Sequence, residues 1–346
     1  MAYRHIEMIS ARIKKDDGVE FMKVLTPASQ ERLEGSAVTI GTFDGLHLGH
    51  RRLLDRAMAL GENLGVPSVA VTFNPHPASV IRPEAAPKLI NSFEERLSLL
   101  EEAGIDFCFL VEFDAARALE PAQDFVRGTL VAELSARAVV VGPDFRFGHG
   151  RGGDVALLER MGEELGFIVE ADPFVLAEGD VASRIEELLF DGDSTEVAIS
   201  STLVRRLVAR GEVSLARELL GRDFFIAGLV GSGDGRGSSE LGYPTANVAY
   251  RPNRLLPADG VYAGWVRQGK QYSISAISVG TRPTFYPEGG DRLIEAFLLD
   301  FSGDLYGREV SVGFRQYLRV QEAFDTSAEL VAQIERDVTQ VRALLR

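Results

Sequence analysis

The sequence predicts an α/β domain built on a parallel sheet, followed by an all-β domain that ends in a helix. Up to about residue 170, short β-branched runs alternate with amphipathic stretches. Strands separated by helices imply a parallel sheet with covered faces. From Phe224 the pattern changes to short β-rich runs with turn residues between them. Many short strands at close spacing fit an antiparallel barrel or a sandwich.

Taken in order, residues 1–35 are mixed and polar, with one strand-like run near Phe21 to Leu25. Strands are expected at 37–40, 68–73, 107–113, 138–141 and 167–169, each a short run of apolar, mostly β-branched or aromatic residues. Helices are expected at 50–64, 93–103, 122–133 and 155–165. The first places Leu48, Leu53, Leu54, Ala57, Met58 and Leu64 on a helical period. Residues 170–222 read as a connector, with helical patterns at 182–190, 203–209 and 215–220 and a turn at 191–194. The β-rich runs are 224–230, 261–267, 271–279, 293–301 and 310–318. Thr326-x-x-Glu329 is a capping box, and Leu330, Ile334, Val338, Val341 and Leu345 stripe the last helix. The expected division is a first domain at 1–185, connector helices at 186–222 and a second domain at 223–346.

A length of 346 residues suits roughly two domains. A formal net charge of -14 argues against a nucleic-acid partner, because counterion release needs a basic surface. Any polyphosphate site here therefore needs local positive charge or a metal. Cys108 is the only cysteine, which rules out an intrachain disulfide; its apolar run makes it a small core residue. The first residues lack the apolar core of a leader, and no apolar run is long enough to span a bilayer. A cytoplasmic location without membrane contact is the expectation, and a homo-oligomer is compatible with it.

One stretch organises the first domain: Val38-Thr39-Ile40-Gly41-Thr42-Phe43-Asp44-Gly45-Leu46-His47-Leu48-Gly49-His50. A strand, a glycine turn and a helix start make a phosphate site, since the helix N-terminus offers unpaired N–H groups and the positive end of its dipole. His47 and His50 are three residues apart and so share a face at the helix start. A phosphate-binding pair, a metal pair and two surface histidines are all compatible with this spacing.

His47-Leu48-Gly49-His50 resembles the HxGH motif of the nucleotidyltransferase superfamily, whose histidines bind triphosphate. Three further stretches accompany it: Val71-Thr72-Phe73-Asn74-Pro75-His76-Pro77, Gly142-Pro143-Asp144-Phe145-Arg146-Phe147-Gly148, and Ile199-Ser200-Ser201-Thr202-x-x-Arg205. Together they resemble the adenylyltransferase half of the prokaryotic riboflavin kinase/FAD synthetase family. Of the five histidines, His47, His50, His76 and His149 fall in or beside these loops. The resemblance implies a Rossmann-like nucleotidyltransferase domain. It gives His47 and His50 the catalytic role, and gives Gly41, Phe43, Asp44, Asn74, His76, Asp144, Ser201, Thr202 and Arg205 contacts to nucleotide or flavin. Read by themselves, Ser201 and Thr202 are good N-cap residues, and Arg205 is a first-turn arginine whose unfavourable place on the dipole an anion would relieve. The chain departs from the family at Asn74, where an acidic residue is usual, and in residues 181–196, which read as an insertion.

The glycine-dense stretch 231–247 lacks a Gly-Lys-Ser/Thr ending and is not a Walker A loop. It resembles the riboflavin kinase signature, a glycine-rich loop leading to Gly242-Tyr243-Pro244-Thr245-Ala246-Asn247. The resemblance implies a barrel for the second domain. It assigns Gly233, Gly235, Arg236, Gly242, Thr245 and Asn247 to nucleotide binding, with Thr245 and Asn247 also at Mg²⁺. The His and second Arg usual in that loop are replaced near Ser232 and Ser238. No histidine follows His149, so the base of a kinase here must be another group, and a carboxylate is the best substitute. Glu295 alternates onto one face with Leu293, Phe297 and Leu299, a costly place for an acid unless it is paired or functional. It matches the family's catalytic glutamate. Residues 256–262, 278–284 and 300–307 carry further signatures.

These resemblances imply a bifunctional enzyme. The second domain would phosphorylate riboflavin from ATP to give FMN. The first would transfer AMP from ATP to FMN to give FAD. Mg²⁺ is expected for both, because protein and substrates are all anionic. A chain with one activity, a flavin-binding sensor and a transferase for another phosphate are the alternative readings.

Overall fold

The computed structural model describes residues 22–189, 196–231, 245–281 and 292–345. Gly233, Gly235, Arg236 and Gly242 lie outside the described residues, as does the 191–194 turn. The chain divides into two compact units: Met1–Pro87 with Phe93–Leu176, and Lys88–Ser92 with Ala177–Arg346.

The first unit is a six-stranded sheet in the order β1-β4-β3-β2-β5-β6. Its strands are β1 (Lys23–Leu25), β2 (Ser36–Ile40), β3 (Ser68–Asn74), β4 (Phe107–Glu112), β5 (Ala136–Val141) and β6 (Ile168–Ala171). All the pairings are parallel. Every residue of β2 is buried, as expected for a strand covered on both faces. Chain order runs from β2 through β3 to β4 on one side, while β5 adds on the other. The order of strands thus reverses at β2, and ligands of such sheets bind in the crevice at the carboxyl ends there.

Three helices of this unit bear on the site: α1 (Leu48–Leu64), α2 (Pro77–Ile81) and α3 (Phe93–Ala103). Helix α1 buries Leu54, Ala57, Leu60 and Gly61 and ends at Gly65, whose φ of 65° is the left-handed cap that glycine favours. Leu48 and Leu64, read from the sequence as part of its apolar stripe, are exposed at the two ends. The stretch expected as one helix at 122–133 starts as α4 (Ala122–Phe125) and continues as a π-helix, Val126–Glu133. Helix α5 (Val155–Leu165) lies as expected, capped by Asp154.

Cys108 sits in β4 with no exposed surface, and burial pushes its thiol up to about 12. An unfolded cysteine ionises near 8.5, so the protonated thiol favours the folded state fully below that pH. That contribution is lost as the pH rises toward 12. Thiol titration at pH 8 is expected to find no reactive cysteine in the folded chain and one after denaturation. Rapid labelling of the native protein would contradict the burial.

The second unit is a closed barrel in the order β10-β11-β8-β7-β12-β9. Its strands are β7 (Phe224–Gly231), β8 (Thr245–Ala249), β9 (Gly260–Gln268), β10 (Gln271–Gly280), β11 (Leu293–Leu298) and β12 (Glu309–Arg319). Two corrections apply. Strand β8 begins where a loop motif was expected. Strand β11 stops at Leu298 rather than 301, and Asp300 takes a left-handed φ of 55°. Helices α6 (Gly179–Leu189), α7 (Ser201–Ala209) and α8 (Val213–Leu220) group with this unit. The 181–196 insertion is therefore largely α6. Two of its last carbonyls are satisfied from α7 and its C-cap: Arg206 donates to Leu189 O at 2.9 Å, and Arg210 donates to Leu188 O.

The last helix, α9 (Ser327–Leu345), packs Ile334, Val338 and Val341 on Ala263, Ala276 and Leu299, with Leu330 and Leu345 at the margins. This is the stripe read from the sequence. Half of the capping box forms: Glu329 N donates to Thr326 Oγ1 at 3.3 Å, whereas the Glu329 carboxylate accepts from Asp325 N, one residue before the cap, at 3.2 Å. Arg319 of β12 grips Asp337 of α9 through two bonds of 2.9 and 2.7 Å.

Gly313 of β12 pairs with Trp265 of β9, and a Cβ on Gly313 would overlap the Trp265 ring. Gly313→Ala is expected to destabilise the barrel by about 1–3 kcal/mol through overpacking. Thermal unfolding checks this; an unchanged midpoint would show that Trp265 can move aside.

Candidate active site

The loop after β2 is strained. Phe43, Gly45 and Leu46 all have positive φ, at 48°, 89° and 39°. Glycine adopts this region freely, but phenylalanine and leucine do so at a cost. Phe43 is wholly buried and meets the His50 ring edge-on at 5.3 Å. A Cβ on Gly41 would press on the Phe43 ring at 3.2 Å, so this position favours glycine. Gly41 N donates to Val71 O at 3.1 Å, which keeps the loop start in register with β3. Asp44 is buried.

His47 caps α1. Its Nδ1 accepts the backbone N–H of His50 at 3.3 Å, and the two rings stack with centroids 3.8 Å apart. The three-residue spacing therefore puts both on one face, as read. With Nδ1 serving as acceptor, a neutral His47 carries its proton on Nε2. His76 is built alike: it caps α2, and its Nδ1 accepts from Ala78 N at 3.1 Å. Asn74 ends β3 and is followed by a cis Asn74–Pro75 bond. After β5, Phe145 N donates to Gly142 O at 3.1 Å and closes a turn that leaves Asp144 exposed. These three loops leave the carboxyl ends of β2, β3 and β5, neighbours in the sheet.

One buried group gave no signal in the sequence. Arg96 of α3 donates from Nη1 to Thr42 O at 2.7 Å and from Nη2 to Phe73 O at 2.9 Å. Its Nε is buried without a hydrogen-bond partner. Burial pushes the guanidinium pKa down, and the nearby Asp44 charge opposes that shift.

Ser201, Thr202 and Arg205 belong to the second unit. The cap of α7 is Ser200, whose Oγ accepts from Leu203 N at 3.3 Å; Ser201 and Thr202 are its first two residues. Their reading as capping residues is thereby corrected. Arg205 is the fifth residue of α7, beyond the first turn, and its Nε donates to Lys88 O at 2.9 Å. The unfavourable-dipole argument for an anion at Arg205 is weaker than its sequence position suggests.

In the barrel, strand register aligns a polar row. Gly231 pairs with Asn247, Asn247 with Glu295, and Glu295 with Ser278. Directly opposed residues of antiparallel strands point to the same face, with Cβ atoms about 5 Å apart. Thr245 lies two residues from Asn247 on that face and opposes Phe297. Ser278 Oγ accepts from Gln321 Nε2 at 2.8 Å. The face of Glu295 needs correcting: Ile294, Ala296 and Leu298 are the buried side of β11, while Glu295 and Phe297 are half-buried on the other. A carboxylate there keeps contact with water and is less costly than one in the barrel core.

Thr245, Asn247 and Glu295 offer hydroxyl, amide and carboxylate oxygens, the donor class that Mg²⁺ prefers. Among the described residues no cluster of three His, Cys, Asp or Glu side chains could hold a metal.

The FAD synthetase family profile matches residues 29–185, and the riboflavin kinase profile matches residues 220–345. A bifunctional riboflavin kinase/FMN adenylyltransferase of Escherichia coli K12 is 38% identical, over 91% of this chain and 94% of that protein. Its counterpart in Pseudomonas fluorescens is 38% identical, over 90% and 93%. A solved structure described as a macrolide-efflux protein from Streptococcus pneumoniae aligns with a TM-score of 0.77 at 29% identity, over 93% of this chain and 99% of that one. That likeness supports the two-unit fold. Among the described residues no helix here is long and apolar enough to cross a membrane. Both family profiles match in order along one chain, and the similarity to the E. coli enzyme runs nearly end to end. The chain therefore belongs to the bifunctional riboflavin kinase/FMN adenylyltransferase family, with an FAD synthetase domain before a riboflavin kinase domain.

Proposed function

We propose that the two reactions run on separate clusters. His47 and His50 serve FMN adenylylation; Thr245, Asn247 and Glu295 serve riboflavin phosphorylation. The supporting observation is that each compact unit holds its own polar cluster, one at the reversal point of the sheet and one in a single cross-strand row. The domain limits read from the sequence, 1–185, 186–222 and 223–346, are the working division of these activities.

In adenylylation a phosphate oxygen of FMN attacks the α-phosphorus of ATP, and pyrophosphate leaves. Negative charge grows on the leaving oxygens. A His47 ring with its proton on Nε2 donates to them, and His50 stacked beside it adds a second donor. Gly41, Phe43, Asp44, Asn74, His76 and Asp144 shape the nucleotide and flavin pocket. Ser201, Thr202 and Arg205 are assigned to the triphosphate on the motif they carry.

In phosphorylation Glu295 takes the proton of the riboflavin hydroxyl as its oxygen attacks the γ-phosphorus and ADP leaves. Ser278, held by Gln321, flanks that carboxylate on one side and Asn247 on the other. Thr245 and Asn247 would hold Mg²⁺, which when bound neutralises phosphate charge. Gly233, Gly235, Arg236 and Gly242 complete the nucleotide loop in this reading. The substrates are small molecules in the cytoplasm, with no nucleic-acid partner.

Thr245→Val tests the metal assignment. It is expected to raise the Mg²⁺ needed for half-maximal FMN formation about tenfold, or ~1.4 kcal/mol. FAD formation from supplied FMN should keep its own Mg²⁺ dependence. A parent-like requirement in both reactions would remove Thr245 from the metal site.

A further inference from the structure

A strained loop keeps its shape only where its surroundings over-determine it. The 43–46 segment has three positive-φ residues, two of them not glycine. It joins β2 to the helix that carries both histidines. Its own bond, Leu46 N to Phe43 O, is 3.2 Å long. The carbonyl just before the strained segment, Thr42 O, takes one bond of 3.3 Å from Thr72 Oγ1 and a shorter one of 2.7 Å from Arg96. The other arm of the same guanidinium fastens Phe73 O, one residue before Asn74.

Arg96 is an expensive way to fill this space. It is buried on α3 beside the Phe93 ring, with the Asp44 charge nearby, and it leaves its Nε unpaired. An aliphatic side chain would carry no such cost if packing were all that mattered. A planar fork can reach two carbonyls at once, which one ammonium cannot do in the same geometry.

We propose that Arg96 is a positioning residue for adenylyl transfer: its guanidinium pins the Thr42–Leu46 loop to the end of β3 and so sets where His47 and His50 meet the phosphates. This rests on the reading of the histidine pair as the adenylylation site. It adds a residue whose hydrogen bonds go to the Thr42 and Phe73 carbonyls rather than to either histidine.

The test uses the full chain with Arg96→Lys, which keeps the charge, and Arg96→Met, which keeps the bulk. Steady-state conversion of FMN to FAD, thermal melting and hydrogen exchange of the 43–46 amides are compared with the parent. Arg96→Lys is expected to lower kcat for adenylylation at least tenfold, with a smaller change in KM for ATP. Exchange at 43–46 should quicken while the melting midpoint stays close to that of the parent. Arg96→Met should lose more. Lys activity within twofold of the parent overturns the proposal, and so does lost activity with unchanged exchange. If Arg96→Met fails to fold, the Lys variant decides. If neither folds, Arg96 is a folding residue and the proposal falls. His50→Ala run in parallel separates the two claims: intact FAD formation there would refute the histidine site itself, whatever Arg96 does.

Discussion

His50→Ala stops the chain at FMN. With ATP, Mg²⁺ and riboflavin the variant is expected to accumulate FMN at the parent rate, while FAD formation falls about 10²–10³-fold, the usual loss for one donor to a developing oxyanion. The ring it removes is half-buried and stacks on His47, so the change should cost little stability. His47→Ala is the harsher variant, because it also removes the cap of α1, worth about 1 kcal/mol. Chromatography of the flavins reads both. Unchanged FAD formation by His50→Ala would remove the histidine pair from the reaction.

Glu295→Gln has the opposite effect. It keeps the shape of the side chain and its place between Asn247 and Ser278, but loses the base. FMN formation is expected to drop about 10²–10⁴-fold, the range for a positioned general base. Supplied FMN should still become FAD at the parent rate. The half-exposed position argues against a folding defect, which a parent-like melting curve would confirm. Full kinase activity in this variant would leave Glu295 as a surface carboxylate.

Much of this was readable from sequence because the responsible patterns are strong. Strands β2 to β5 are covered on both faces, so their apolar runs stand out. The stripe of α9 kept its period because one face packs on the barrel. Strand β8 was hidden: Thr245-Ala246-Asn247-Val248-Ala249 is short, holds one β-branched apolar residue and follows a glycine-rich stretch. The face of Glu295 is ambiguous in the sequence: Leu293 and Phe297 are apolar enough to suggest core, whereas the core side is Ile294, Ala296 and Leu298. The sequence does not single out Ser200 as the α7 cap, because three hydroxyl residues stand in a row and only geometry picks the one with extended backbone.

The histidines were legible because spacing alone sets their shared face. Arg96 was not. In Phe93-Glu94-Glu95-Arg96 it reads as one more polar residue on a solvated turn, yet Glu95 and Arg96 are both buried. Its partners are backbone carbonyls contributed by β2's loop and β3, which no local pattern can announce.

The most direct test of two separate sites is complementation in one tube. His50→Ala and Glu295→Ala proteins are incubated with riboflavin, ATP and Mg²⁺, each alone and then mixed. Alone, the first is expected to stop at FMN and the second to leave riboflavin unchanged. Mixed, FMN released by one is adenylylated by the other, and FAD appears. Loss of both activities in either folded variant, or a mixture that makes FMN but no FAD, would contradict the assignment of the two reactions to His47 and His50 on one unit and Glu295 on the other.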